Sequence, residues 1–232
     1  MTPWPLCVIP AAGSGTRMGD LCRDRPKCLL PVNGVPLIRH VWDFWAPMAD
    51  QVVVVAAPGQ EDAVWAALPS WALDNNTGIV EQPEPRGVND AILCALRAVR
   101  CPPTFMVALG DCLFKGDFDH FDLSAVRDLE LCGMAVRRAE EQMDDWERSY
   151  SLQVYDDVSG VCVSSVTEKP LLGLGAYWLN WKAVGALEAT RDKSITEAFA
   201  HLIEHGEKVR PVRFVGSYLN VTFAEDLERP WP

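Results

Sequence analysis

Eight cysteines without a single C-x-x-C pair, no run near the roughly 18 apolar residues of a membrane-spanning helix, and no basic excess mark what this 232-residue chain lacks. Each absence removes a class of function. Lys and Arg total 21 against 32 Asp and Glu, a net charge of −11, and a field of that sign repels nucleic acid and anionic membranes. No nucleic-acid or membrane partner is expected. Screening confines that repulsion to about 8 Å at physiological salt, so a polyanionic small molecule could still bind a local basic cluster or a metal. The histidines at 40, 120, 201 and 205 form no zinc-ligand spacing with the cysteines, and His201 and His205, four apart, predict one helix face. Cys7, Cys94 and Cys162 sit among apolar residues, which suits free, mostly buried thiols in a reducing compartment. Met1–Pro10 has no basic residue ahead of its short apolar stretch, so nothing resembles an export signal and a cytoplasmic location is expected. Internal repeats, low-complexity linkers and the Walker order G-x-x-x-x-G-K-[ST] are missing too.

What is present is a globular composition, 49% hydrophobic and 23% charged, on a chain long enough for a large core. Strand-like runs at Leu6–Pro10, Gln51–Ala57, Thr77–Glu81 and Phe105–Leu109 alternate with helical patterns at Leu37–Met48, Glu61–Leu68 and Asn89–Val99. That alternation predicts an α/β fold with a doubly wound, mostly parallel mixed sheet. The unbroken Val52–Val55 run lacks period-two alternation, so it predicts a central strand buried on both faces. Later segments predict further strands at Leu129–Arg138, Tyr150–Tyr155, Val161–Glu168 and Val209–Val215, and helices at Lys182–Ala189 and Ile195–Glu204. The acidic stretch Glu140–Asp145 is expected to be a solvated loop, and the nine tryptophans to serve packing more than sugar contact, with Trp178 the candidate exception. One continuous domain over residues 1–232 is expected. Ligands in such sheets bind outside the carboxyl ends of the strands, so the residues just after each strand carry the interest.

Directly after the first strand comes Pro10-Ala11-Ala12-Gly13-Ser14-Gly15-Thr16-Arg17-Met18-Gly19. Its small residues let backbone N–H groups approach an anion, and Arg17 adds a bidentate fork, so the segment reads as a phosphate cradle. A second basic element follows at Arg25-Pro26-Lys27-Cys28-Leu29-Leu30-Pro31-Val32, where Pro26 sets the chain entering Lys27 and apolar neighbours anchor it. Asp111, after the apolar run Phe105–Leu109, would hold a carboxylate at a buried strand's end, where a hard cation can be shared with phosphate. Gln82 offers an amide donor and acceptor, and Gly87 allows close backbone approach, a pairing suited to reading a nucleobase edge.

Together, Ala11 to Pro31, Gln82-Pro83-Glu84-Pro85-Arg86-Gly87, Leu109-Gly110-Asp111, Thr167-Glu168-Lys169-Pro170 and Tyr218-Leu219-Asn220-Val221-Thr222 ahead of Glu225-Asp226-Leu227 resemble the sugar-1-phosphate nucleotidylyltransferases, also called nucleoside-diphosphate-sugar pyrophosphorylases. The motifs run in order from residue 6 to about 228. The resemblance implies a Rossmann-like nucleotidyltransferase fold, with a nucleotide-binding half at about 1–115 and a substrate-binding half at about 116–232. It implies transfer of a nucleotidyl group from a nucleoside triphosphate, pyrimidine favoured, to a sugar 1-phosphate with release of pyrophosphate. Arg17 and Lys27 would be catalytic; Ala11, Ala12, Gly13, Ser14, Gly15, Thr16, Gln82 and Gly87 would bind nucleotide; Glu168, Lys169 and Gly175 would bind the sugar phosphate; Asp111 and Asn220 would hold Mg²⁺. Arg17, Lys27, Lys169 and one Mg²⁺ bring about five positive charges to about six negative ones on the two substrates.

One departure bears on the metal and one on the sugar subsite. Asn220 stands where many members carry Asp, a weaker Mg²⁺ ligand as Asn, and Tyr150-Ser151 replaces the usual aromatic-Gly pair. Pro26-Lys27-Cys28-Leu29 with Val32-Asn33-Gly34-Val35-Pro36 is also similar to cytidylyltransferases acting on phosphocholine or phosphonates, which remain an alternative. Two others are a nucleotide-sugar glycosyltransferase using Asp117-Phe118-Asp119 as a D-x-D metal site and a non-catalytic nucleotide sensor, hinted at by Asn220 and Ser151. The oligomeric state is left open.

Overall fold

A computed structural model describes residues 2–128, 131–138, 151–157, 160–165 and 171–232, with side chains left aside at 128, 138, 151–157 and 160–165. The chain runs β1 (Cys7–Pro10), a hairpin of β2 (Pro31–Val32) and β3 (Val35–Pro36), α1 (Leu37–Trp45), β4 (Val52–Ala56), α2 (Glu61–Ala67), β5 (Thr77–Glu81), α3 (Val88–Ala98) and β6 (Thr104–Ala108). It continues through β7 (Cys112–Phe118), α4 (His120–Asp128), β8 (Cys132–Arg138), β9 (Ser151–Asp157), β10 (Gly160–Ser165), β11 (Leu171–Asn180), α5 (Ala183–Ala189), α6 (Ile195–Glu204) and β12 (Val209–Asn220).

The main sheet path is β5-β4-β1-β6-β11-β8-β12-β7, with β9 and β10 beside it. Neighbours from β5 to β6 are parallel, as are β8 and β12, while β11 is antiparallel to both β6 and β8 and β7 is antiparallel to β12. The fold is thus a doubly wound, mixed α/β sheet. Strand pleating sorts side chains to two cores. Cys7, Ile9, Val52 and Val54 face α1 and α2, whereas Leu6, Val8, Val53 and Val55 face α3, α5 and α6. All of β4 is buried because it lies between β1 and β5 with helices on both faces, as its unalternating run implies.

Strand order places the turning point at β1, which has β4 on one side and β6 on the other. The crevice outside the carboxyl ends of β1 and β6 is where open sheets of this kind bind ligands.

Five elements escaped the sequence patterns: the two-residue strands β2 and β3, and β7, β11 and α4. β7 carries Lys115, Gly116 and Asp117, residue types of low strand propensity, but it forms a ribbon with β12, where Gly116 and Gly216 face each other and neither leaves room for a Cβ. β11 contains Gly173 and Gly175, which dilute its strand character, and tertiary burial overrides that weakness. α4 starts at a cap: Asp119 Oδ1 accepts from the backbone N–H of Phe121 at 2.9 Å and Asp122 at 3.1 Å. β12 also runs five residues past the expected Val215, reaching Asn220.

Of the cysteines with described side chains, Cys7, Cys28, Cys112 and Cys132 are buried, Cys22 and Cys94 half-buried and Cys101 exposed, all as free thiols. Burial pushes the Cys28 thiol up to about 12 and Cys132 up to about 11. A colorimetric thiol titration at pH 8 is expected to label Cys101 first and the four buried thiols only after denaturant is added. Trp178 is 1% exposed and stands edge-on to Phe118 at 5.1 Å, so it belongs to the core and not to a sugar platform. Trp178→Ala should lower the unfolding free energy by about 3–5 kcal/mol, read as a fall in the urea midpoint.

Candidate active site

The loop after β1 is held by the strands on either side. Ala11 N–H donates to Val55 O at 2.8 Å, and Gly110 N–H, just past β6, donates to Pro10 O at 3.1 Å. A Cβ on Gly110 would lie 2.7 Å from Pro10 O, so glycine lets the two strand ends approach. Gly15 turns the chain at φ 62°, where a Cβ would meet Cys22 Sγ and Lys27 Cβ. That turn folds the glycine loop down onto the Lys27 segment.

Lys27 opens a single 3₁₀ turn after an extended Pro26, and Cys28 and Leu30, each 4% exposed, pin the turn into the core. Its Nζ therefore projects from a fixed base. It donates to Asp111 Oδ2 at 2.5 Å across 84 residues of sequence, with the two side chains 15% and 35% exposed. The expected cation and the expected metal ligand thus meet at the rim of the crevice.

A cavity of about 320 Å³ opens there, and its lining includes Ala11, Ala12, Gly13 and Ser14 of the glycine loop together with Lys27, Gln82, Gly87 and Asp111. Gln82 is 4% exposed, and its Nε2 donates to Gly87 O at 3.0 Å and Asp90 Oδ2 at 2.8 Å. Asp90 in turn accepts from Arg191 Nε at 2.5 Å. Burial raises the Asp90 pKa, but hydrogen bonds from Gln82 and Arg191 and the guanidinium charge outweigh it, leaving it below the ordinary carboxylate value. Asp90 and Arg191 were missed in the sequence, where Asp90 read as part of a helix. The available signal was the Asn89-Asp90 pair, polar residues opening a helix on its buried side.

Asn220 ends β12 in register with Cys112, and the next residue's backbone N–H, that of Val221, donates to Asp111 O at 2.9 Å. Asp111 and Asn220 therefore share one rim, though Asn220 does not line the cavity. The buried Asp226 carboxylate holds the chain beyond, accepting from the N–H groups of Thr222 at 2.8 Å and Phe223 at 2.7 Å. One carboxylate and one amide oxygen are hard donors, too few to cage a cation alone, and they fit Mg²⁺, which keeps waters and takes phosphate oxygens for most of its sphere. Among the described residues no cluster of three or more His, Cys, Asp or Glu suits a metal.

Other expected residues lie elsewhere. Thr16 and Arg17 are exposed on the 3₁₀ turn and do not line the cavity, because buried Met18 commits the turn's inner side to the core. Gly175 is buried in β11 and not at the cavity: its N–H donates to Tyr218 Oη at 3.3 Å, and a Cβ would collide with Cys112 Sγ. Its smallness serves packing behind Asp111, where Tyr218 Oη also donates to Cys112 Sγ at 3.3 Å. Glu168 and Lys169, with Thr167, Pro170, Tyr150 and the acidic stretch 140–145, lie outside the described residues. Asp119 of the D-x-D alternative is occupied as a helix cap, at the opposite end of β7 from Asp111.

A family model described as a MobA-like NTP transferase domain matches residues 7–203. The chain belongs to this transferase family. Among curated relatives of the MobA-like domain here, the bifunctional protein GlmU of Methanocaldococcus jannaschii is 26% identical over 97% of this chain and 51% of its own length. The chain thus spans about half of that relative. The UTP–glucose-1-phosphate uridylyltransferase AglF of Haloferax volcanii is 25% identical over 94% of this chain and 92% of its own. A UDP-glucose pyrophosphorylase solved with UDP-glucose shares the transferase fold at TM-score 0.77 and 19% identity, covering 97% of this chain and 96% of that one.

Gly175→Ala is expected to cost about 1–3 kcal/mol of stability by overpacking against Cys112. Adding Cys112→Ala removes the Sγ overlap but leaves the residue's Cβ 2.8 Å away, so it should recover only part of that loss, which a double-mutant cycle of denaturation midpoints measures.

Proposed function

We propose that this transferase domain moves a nucleotidyl group from a pyrimidine nucleoside triphosphate to a sugar 1-phosphate, giving a nucleotide sugar and pyrophosphate with Mg²⁺ as cofactor. The observation that carries this reading is Lys27 Nζ against Asp111 at 2.5 Å, in a cavity that the glycine loop and Gln82 also line. The similarity to a protein named as a UTP–glucose-1-phosphate uridylyltransferase over nearly the whole of both chains supports the same substrate class.

The chemistry asks little covalent help of the protein. A sugar-phosphate oxygen, already anionic at neutral pH, attacks the α-phosphorus; the bond from that phosphorus to the bridging oxygen breaks, and pyrophosphate leaves with the electron pair. Catalysis is then positioning and charge stabilisation. Backbone N–H groups of Ala12 to Gly15 would face the triphosphate, and Lys27 would stabilise the charge that builds on the α-phosphoryl oxygens. Arg17, exposed on the 3₁₀ turn outside the cavity lining, would reach the outer phosphates only from beyond it, and Glu168 and Lys169 would serve the sugar phosphate. Asp111 and Asn220 would be the residues to hold Mg²⁺, whose chemistry would be to offset phosphate charge. Lys27 is already oriented by Asp111, so it needs no long side-chain search when a phosphate oxygen arrives.

Pyrophosphate release should be measured with UTP, dTTP, CTP, ATP and GTP against glucose 1-phosphate, other sugar 1-phosphates and phosphocholine, with Mg²⁺ present and after chelation. Turnover is expected with UTP or dTTP and a sugar phosphate, and chelation should abolish it. Lys27→Ala and Asp111→Asn should each lower kcat by about 100-fold or more while the fold persists. Phosphocholine turnover with CTP would favour the cytidylyltransferase alternative, and no release with any pair would remove the assignment.

A further inference from the structure

The Gln82 side chain has its orientation decided by what stands behind it. Its Nε2 lies 3.0 Å from Gly87 O and 2.8 Å from Asp90 Oδ2, and both partners are pure acceptors, a carbonyl and an ionised carboxylate. Reversing the amide would set its oxygen against two other oxygens. Both N–H groups are therefore spent inward, and Oε1 is the atom left for the cavity that Gln82 lines.

The arrangement depends on Asp90 staying charged while 2% exposed. Arg191 Nε meets Oδ1 at 2.5 Å, leaving Oδ2 for Gln82. Arg191 comes from the loop between α5 and α6, in the other half of the chain. That loop is fastened separately: Asn89, fully buried, donates through Nδ2 to Thr190 O at 2.8 Å, Thr190 Oγ1 at 3.0 Å and Ser194 O at 2.9 Å. Docking of α3 on the loop thus has its own hydrogen bonds, and the Asp90–Arg191 pair is free to serve a second purpose.

We propose that Asp90 and Arg191 are positioning residues which lock the Gln82 carbonyl oxygen toward the cavity and thereby make the site select uracil or thymine over cytosine. The inference rests on the nucleotidyl-transfer reading and deepens it. Uracil and thymine present a ring N–H between two carbonyls, a donor for Oε1. Cytosine has a bare lone pair at that ring nitrogen, which would face Oε1 acceptor to acceptor.

Equilibrium binding of UTP and CTP with Mg²⁺ tests this without requiring turnover. The unaltered chain should bind UTP at least about tenfold more tightly than CTP. In Asp90→Asn the residue behind Gln82 can donate as well as accept, so the amide can turn and the ratio should fall toward one. Arg191→Ala, at a one-third exposed position that does not threaten folding, should lower the ratio in the same direction, and Arg191→Lys should restore part of it. Asn89→Ala should lower the thermal midpoint and leave the ratio intact, separating loop docking from base selection. Preference of the unaltered chain for CTP, or an unchanged ratio in folded Asp90→Asn and Arg191→Ala, would overturn the inference and leave nucleotidyl transfer standing. Binding of neither nucleotide would overturn both.

Discussion

Cys7 lies opposite Met106 and Val8 opposite Val107 in the parallel pairing of β1 with β6, and everything at the crevice follows from that register. It sets the two strand ends level, so that the glycine loop leaving Pro10 and the turn bearing Asp111 start from one edge. The Gly110 N–H to Pro10 O bond closes the pair, and the absence of a Cβ on Gly110 allows the approach. A residue's slip would move Asp111 about 3 Å along the strand and turn side chains to the opposite face. Lys27 would then lose its partner.

An acidic protein that handles polyanions has to solve a local problem against its own global field. Here one cation at the cavity is held on a rigid base. Lys27 sits on a turn anchored by Cys28 and Leu30, and its charge is aimed by a carboxylate that was brought from 84 residues away. Because Lys27 is only 15% exposed, its interactions are screened less than those of the surface charges that set the net value. The second charged pair, Asp90 with Arg191, sits behind Gln82 and holds its amide through a hydrogen bond.

Much of this was legible from residue order. The parallel half of the sheet could be read because its strands are apolar runs closed by Gly, Pro or polar residues, and because period-3.6 helices lie between them. The glycine loop, Gln82 and Asp111 could be picked out because small, polar and charged residues close after a strand-like run have few structural reasons to be there, and Lys27 because Pro26 and apolar neighbours frame a lone cation. The far half was harder to read. β7 and β11 contain glycines that serve close packing, and propensity cannot tell a packing glycine from a turn glycine. Gly175, which the resemblance implies as a substrate contact, is buried against Cys112 and Tyr218 and away from the cavity lining.

Local sequence by itself determined which segments become strands and helices of the first half, and which residue types stand at their ends, since those depend on neighbours within a few positions. Which of those residues meet was decided only by the tertiary structure: Lys27 with Asp111, Asp90 with Arg191, and Asn220 beside the Asp111 rim. Such pairings depend on strand order and register, set by burying two cores at once across the whole chain, and no short window of sequence contains that information.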